Sequence, residues 1–442
     1  MHSLRSFKRQ KAYMIINISG LSIGIACSLI IALYVINEAS YDRYNVKKDR
    51  IFRLILNGKI GGQEITGAYT PNPIGPTMVK EFPEVEGFLR MNGRGPTVLT
   101  YNNQTFTEDD LIEADSSFFD FFTIPVLKGD VKNLLNSPHK IVLTESSARK
   151  ILGNDDPIDK RIKIGTDTVP YVVTGIMGDV PENTHFEAHM LTSYMTDSRS
   201  KSTVWLSNSF STYLLLKPNS SKASVESKLP DLLKKYVGPE VKQLMGISID
   251  DFEAKGNKYR FFLQNIKDAH LDPSIQQTFK PACDPKYLII FGSIAILIVA
   301  IAAINFMNLS TAQASKRAKE VGIKKIAGST KGMLILQFLS ESSILAIVSL
   351  LIAALIVKLT IPWINNMLGT ALSLKLFSSW YVIPALVLFA LLVGFFSGSY
   401  PALFLSSFNP YEVLKGETQS SMKTGRIRRV SEGCRRKPCP IS

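Results

Sequence analysis

The sequence predicts a membrane α-helical protein with four transmembrane helices and a mixed α+β extracytoplasmic domain inserted between helices 1 and 2. Three observations carry this expectation. Residues 12–36, 287–315 and 376–411 contain no Asp, Glu, Lys or Arg, and residues 332–357 contain one, Glu341. Each window exceeds the roughly 20 apolar residues that cross a bilayer core. Between the first two windows, residues 37–286 read as a water-soluble domain, and the formal charge of +14 is concentrated beside the apolar windows. An ordinary soluble enzyme and a polytopic protein made of helices alone are both excluded.

The charge assigns sidedness. Residues 1–11 hold Arg5, Lys8, Arg9 and Lys11 with no acid; 312–333 hold six basic residues against Glu320; 409–442 hold eight against three acids. These stretches account for the whole excess, and the remainder has equal numbers of acids and bases. That is the distribution of cytoplasmic flanks around membrane spans, not of a nucleic-acid surface. The expected order is a cytoplasmic N-terminus (1–11), helix 1 (12–36), an extracytoplasmic domain (37–286), helix 2 (287–311), a cytoplasmic segment (312–333), helix 3 (334–361), an outer loop (362–379), helix 4 (380–405) and a cytoplasmic tail (406–442). The first apolar stretch outruns a signal-peptide core and reads as an uncleaved anchor, with cleavage as the minor alternative.

Helix 1 carries Gly20-Leu-Ser-Ile-Gly24 and helix 4 carries Gly394-Phe-Phe-Ser-Gly398. Such stripes bring helix backbones close, either inside one bundle or between subunits. Trp380 and Tyr400 match two interfacial belts, and Pro401 is expected to kink or terminate helix 4. Glu341 is costly at mid-bilayer, and a polar contact near the cytoplasmic end, with a nearby Lys, is favoured over a substrate path. Cys27, Cys283, Cys434 and Cys439 lie in different compartments, so no intramolecular structural disulfide is expected.

In the inserted domain, strands are expected at 51–57, 140–144, 169–176 and 212–216. Helices are expected at 116–122, at 145–152 ending at Gly153, and at 222–236. Pro71, Pro73 and Pro76 break the chain before 77–82. A division into two subdomains fits the length, with no legible boundary.

Chemistry-bearing motifs are scarce. No G-x-x-x-x-G-K-[ST] is present, so no ATP-phosphate cradle is expected in this chain. Neither G-x-S-x-G nor H-E-x-x-H occurs. His185-Phe-Glu-Ala-His189 has two histidines at i, i+4 but follows Pro181 and Asn183 and lacks further ligands, so a metal site is disfavoured. No catalytic, cofactor or metal residue is assigned. The basic segment 315–331 combines Val321, Ile323, Ile326 and Ala327 with Gly322 and Gly328 as breaks. It reads either as a helix on anionic lipid or as a docking helix for a cytoplasmic partner.

Several separated stretches, taken in order, resemble one family. They are Ser40-Tyr-Asp-Arg-Tyr44, Asp49-Arg-Ile-Phe-Arg53, Lys80-Glu-Phe-Pro-Glu-Val-Glu86, Phe118-Phe-Asp-Phe-Phe122, Val142-Leu-Thr-Glu-Ser146, Arg317-Ala-Lys-Glu-Val-Gly-Ile-Lys-Lys-Ile-Ala-Gly328, Gln337-Phe-Leu-Ser-Glu341, Gly398-Ser-Tyr-Pro-Ala402 and Pro410-Tyr-Glu-Val-Leu-Lys-Gly416. The chain resembles FtsX-like permeases of ABC transporters with a MacB-like periplasmic core domain, of the Bacteroidetes type, over nearly everything up to Gly416. The resemblance implies a bacterial inner-membrane permease that couples ATP hydrolysis by a separate cytoplasmic ATPase to periplasmic change, for export, efflux or mechanotransmission. It implies ATP bound by that partner, and a coupling helix that maps onto Arg317, Lys319, Glu320, Val321, Gly322, Ile323, Lys324, Lys325 and Gly328. Chains of this type usually continue into a second four-span repeat. Here the text after Lys423 is basic without a further span, so the resemblance implies a homodimer or a second permease half. Membrane lipid is a further expected partner, nucleic acid is not, and a periplasmic partner is left open. The alternative is a membrane-anchored periplasmic scaffold or signalling protein without ATP-driven activity; a membrane-bound enzyme is the weakest reading.

Overall fold

A computed structural model describes residues 11–276, 278–368, 372, 380 and 382–406, apart from the side chains of 11–13, 313–319, 368 and 405. Arg5, Lys8 and Arg9, the side chains of Lys11, Arg317 and Lys319, most of the outer loop beyond 368, the 410–416 motif, and Cys434 and Cys439 lie outside the described residues. The chain forms two compact units, one built from the long apolar helices and the other from Ile36–Leu288.

In the helical unit the first long helix runs Lys11–Ala39, the second Pro285–Ile326, the third Lys331–Leu368 and the fourth Val382–Ser406. Within them Met14–Ala39, Pro285–Ala312, Lys331–Met367 and Val382–Phe404 are long and apolar enough to cross a membrane. Ser28 Oγ on the first helix donates to the Ala295 carbonyl of the second at 2.9 Å. A Cβ on Gly24 would lie 2.6 Å from Ala302 Cβ, and one on Gly20 would lie 3.4 Å from Asn305 Nδ2. Gly20, Gly24 and Ser28 thus form one i, i+4, i+8 stripe against the second helix. On the fourth helix, a Cβ on Gly394 would meet Ser343 Cα at 2.8 Å, and one on Gly398 would meet Ser342 Oγ at 2.6 Å. Both glycine stripes therefore face neighbouring helices of the same chain. Leu21, Ile25 and Leu33, with Phe306, Ala346, Leu350, Ala353, Ala390 and Val393, fill the space between them.

Two boundaries differ from expectation, the end of the second helix and that of the third, which runs on past residue 361 through Pro362 to Leu368. The second helix does not stop near residue 311 but runs on to Ile326, and Gly322 lies within it. One interior glycine weakens a helix by only about 1 kcal/mol relative to Ala, too little to break a helix carried by its neighbours. Pro401 lies inside the fourth helix, which ends five residues later at Ser406; proline is tolerated where neighbouring groups satisfy the freed carbonyl.

The second unit holds strands β1 (Ile51–Ile60), β2 (Gln63–Gly67), β3 (Thr70–Pro71), β4 (Val85–Gly93), β5 (Thr97–Tyr101), β6 (Gln104–Glu108), β7 (Leu111–Ala114), β8 (Val126–Lys128), β9 (Lys140–Thr144), β10 (Arg161–Ile164), β11 (Tyr171–Met177), β12 (Met190–Ser193), β13 (Asn208–Leu216) and β14 (Lys258–Asn265). Their order is β14-β1-β13-β4-β7-β12-β9-β11-β10-β5-β6. Along this path β7–β12 and β9–β11 are parallel and the remaining neighbours antiparallel. One strand order runs through the whole unit, with separate buried clusters packed along it.

Side-chain alternation explains why the apolar runs of β1 and β13 include residues of both parities. Leu54 and Leu214 face one core with the helices Ile74–Glu81, Lys222–Glu226, Leu229–Met245 and Ile249–Ala254, and a register shift beside Val85 turns it to the same side. Ile51, Tyr213, Leu215, Leu89 and Met91 face another with Phe118, Phe122 and Phe186. A sheet buried on both faces needs apolar residues at both parities.

Local punctuation accounts for the helices. Thr144 Oγ1 accepts from Ser147 N to cap the helix Glu145–Leu152, and Gly153 (φ +64°) ends it. The expected helix over 222–236 is two helices, broken at Ser227–Lys228, with Pro230 in the first turn of the second, where its missing N–H is no loss. The helix Ile74–Glu81 starts before Pro76, for the same reason.

Gly24→Val is expected to destabilise the detergent-solubilised chain by about 1–3 kcal/mol through overpacking, read as a lower unfolding temperature. Gly292→Val, whose Cβ would meet nothing within 4 Å, should leave that temperature unchanged. Equal shifts for the two would refute the close-approach account.

Candidate functional site

The segment between the second and third long helices is built from the end of one and the start of the next. Gly328, at φ +93°, supplies the left-handed residue that stops the second helix. Ser329 N donates to the Lys324 carbonyl at 3.0 Å and Gly328 N to that of Lys325 at 3.1 Å, the paired bonds of a Schellman ending. The third helix starts at Lys331, two residues later.

This turn has an anchored side and a free side. Val321 is 2 % exposed and packs with Leu334 and Phe338 of the third helix and Ala402 of the fourth. That corrects the expectation that Val321 and Ile323 together present a docking face, since 3.6 residues per turn puts them on different sides of the helix. Ile323 and Ile326 are 60 % and 64 % exposed. Sequence reasoning gave no special weight to Met333 and Leu336, which are also exposed; the i, i+3 spacing of 323/326 and 333/336 is the signal that finds them.

The lysines are tied inward. Lys324 Nζ lies 3.0 Å from Glu320 Oε1 and 3.2 Å from Gln337 Oε1, and Gln337 Nε2 donates to Glu341 Oε1 at 3.2 Å. Lys325 Nζ donates to the Ser406 carbonyl at 2.6 Å. Glu341 therefore belongs to a polar chain that reaches Lys324 through Gln337 and links the second helix to the third. Glu320, Ala327 and Gly328 are exposed and Gly322 is buried.

A second polar cluster, in the other unit, explains the Ser40–Tyr44 motif. Asp42 is fully buried at φ +58°, and its amide donates to the Asn183 carbonyl at 2.9 Å. Its Oδ2 accepts from His185 N at 3.1 Å, and its Oδ1 lies 2.9 Å from His185 Nδ1. His185 Nε2 is 2.7 Å from the Tyr213 hydroxyl, and Tyr213 is the cross-strand partner of Arg53. Arg53 is 1 % exposed and donates from Nη2 to Gln264 Oε1 at 2.7 Å, and Gln264 reaches Asp272 at 3.1 Å. Burial pushes the Tyr213 phenol above its ordinary range and lowers the Arg53 guanidinium. The buried polar groups compensate one another in part: Asp42 accepts from the His185 amide and Arg53 donates to Gln264, while Arg53 Nε has no hydrogen-bond partner. The two histidines of the 185–189 stretch part company: His189 faces Glu108 at 3.1 Å, and the described residues contain no group of three metal-ligating side chains.

Comparison with known proteins places this geometry. Residues 14–232 match the model of the MacB-like periplasmic core domain, and residues 292–410 that of the FtsX-like permease C-terminal domain. A relative in Mannheimia succiniciproducens, the macrolide export ATP-binding/permease protein MacB, is 23 % identical over 74 % of this chain and 46 % of its own length. The uncharacterized ABC transporter permease YvrN of Bacillus subtilis is 24 % identical over 81 % of this chain and 82 % of its own. A crystallised permease-protein domain from Porphyromonas gingivalis aligns with 56 % of this chain and 97 % of its own at 19 % identity and a TM-score of 0.44. The chain spans about half the length of the MacB relative. The first match takes in the first apolar helix and most of the α/β unit, the second the last three apolar helices, and the chain belongs to the ABC transporter permeases of FtsX type that carry a MacB-like periplasmic core domain.

Proposed function

We propose that this permease couples ATP hydrolysis by a separate cytoplasmic ATPase to conformational change in its periplasmic domain, for export or mechanotransmission. The observation that carries the reading is the two-sided turn after Ile326. Val321, Lys324 and Lys325 tie it to the third and fourth helices, while Ile323 and Ile326 stand exposed. A push on the exposed side is delivered to the helices through the anchored side. ATP is bound by the partner, because the chain has no phosphate-cradling loop. Two copies of the chain, or one copy with a second permease half, complete the assembly. The N-terminus, the turn and the tail are cytoplasmic and the inserted domain periplasmic, which puts the basic flanks on the side that membrane insertion favours. Anionic lipid beside the turn is the competing occupant of Ile323 and Ile326.

Orientation is tested by single cysteines at Ser220 and Ser420 in a chain lacking its own cysteines. An impermeant thiol reagent on intact spheroplasts should label position 220 alone; labelling of 420 alone would reverse the topology. The purified chain should show no ATP hydrolysis above a mock preparation, and sustained turnover free of contaminating ATPase would overturn the division of labour.

Docking is tested by pull-down of the ATPase at matched membrane levels. Ile323→Asp should weaken retention by at least about tenfold, since an unpaired carboxylate is strongly disfavoured in an apolar groove, while the chain still inserts. Val321→Asp should instead reduce the yield of folded chain, because its partners are Leu334, Phe338 and Ala402. Unimpaired ATPase retention by Ile323→Asp would overturn the docking reading and leave the lipid reading standing.

A further inference from the structure

The chain leaves the first long helix at Ala39 and reaches the second at Pro285. Two residues on these connections, 232 positions apart, are joined: His270 Nε2 lies 2.7 Å from Glu38 Oε2. Both are buried, at 6 % and 7 % exposure. The Tyr41 ring lies flat on the His270 imidazole, with centroids 3.5 Å apart and planes 5° from parallel. The returning chain closes on the same residue, as Cys283 N donates to the His270 carbonyl at 2.7 Å. Nearby, Asn265 Nδ2 donates to the Lys48 carbonyl at 3.0 Å, and the exposed pair Lys267–Asp49 spans 2.6 Å.

We propose that Glu38, Tyr41 and His270 form a latch that clamps the outgoing and returning connections of the inserted domain into one mechanical element. Motion arriving along the first helix is then shared with the segment that starts the second, instead of being absorbed by two independent hinges. The three are positioning residues. Glu38 is the first charged residue after the charge-free stretch 12–36 and sits in the final helical turn, where a flexible connection would otherwise begin. Its burial makes the pair stiff: neither partner can swing into water without stranding the other in an apolar setting. The exposed Lys267–Asp49 pair beside it is solvent-screened and lacks this property. Behind the latch, the Asp42–His185–Tyr213–Arg53–Gln264–Asp272 chain joins the same two connections through β1, β13 and β14. This proposal stands whether or not an ATPase drives the chain, so its failure and that of the functional reading are separate events.

The test is amide hydrogen exchange on the full chain in lipid nanodiscs at neutral pH. Local opening sets the exchange rate of each segment. Glu38→Ala should raise exchange at least about tenfold both in 37–45 and in 266–284, with β9 and β12 unchanged. Glu38→Gln keeps an oxygen for His270 Nε2 and should stay within about twofold of wild type, as should Lys267→Ala. The double variant Glu38→Ala/His270→Ala should exchange no faster than the faster single, since one contact cannot be lost twice. Should Glu38→Ala fail to fold, Tyr41→Leu removes the stacking without stranding a charge and should still raise exchange in both segments. Exchange that rises in 37–45 alone, or additive effects in the double variant, would overturn the latch.

Discussion

Close backbone approach in a solvent that offers no hydrophobic drive is the constraint on which the helical unit rests. Lipid chains are as apolar as leucine, so the long helices gain little by hiding leucines from lipid. What holds them is contact between small groups: Gly24 on Ala302, Ser28 on the Ala295 carbonyl, Gly394 on Ser343 and Gly398 on Ser342. These contacts fix which helices are neighbours and in what rotation. The turn at 327–330 inherits its geometry from them, because Val321 is seated between the third and fourth helices that the Gly394–Gly398 stripe brings together.

The inserted domain answers to the opposite solvent. Its strands gain by removing apolar surface from water on two faces at once, and the aromatic run Phe118–Phe122 fills the space beneath β4 and β13. Against that background the buried polar residues stand out. Asp42, Arg53, His185, Gln264 and His270 each cost desolvation that an apolar residue would not. They gather where the chain enters and leaves the domain. Their mutual contacts, Asp42 with His185 and Arg53 with Gln264, limit the alternative packings of that region.

The basic turn shows how misleading a charge run can be when read alone. Lys324 and Lys325 look like contacts offered to a partner or to lipid, yet each has its ammonium group on an acceptor of the same chain. Among the described side chains, Ile323, Ile326, Met333 and Leu336 stand outward beside the exposed Glu320 and Lys331. The charges orient the turn, and the exposed aliphatic side chains are what a groove would grip.

Composition and local chemistry determined a good deal by themselves. Long charge-free windows specify membrane helices because the hydrocarbon core accepts only internally bonded backbone. Thr144 and Gly153 bracket a helix because capping and left-handed conformation depend on neighbours a few residues away. The strands at 51–57, 140–144 and 212–216 are likewise visible as apolar runs. The Gly20–Gly24 and Gly394–Gly398 spacings announce close approach without naming the partner helix. Tertiary structure alone decided that partner, the sheet order that sets β7 beside β12 and β9 beside β11, the side on which Val321 is buried, and the meeting of Glu38 with His270. The physical reason is range. Propensity, capping and periodicity act over one or two turns of chain, whereas pairings across tens to hundreds of residues are selected by the packing of the whole unit.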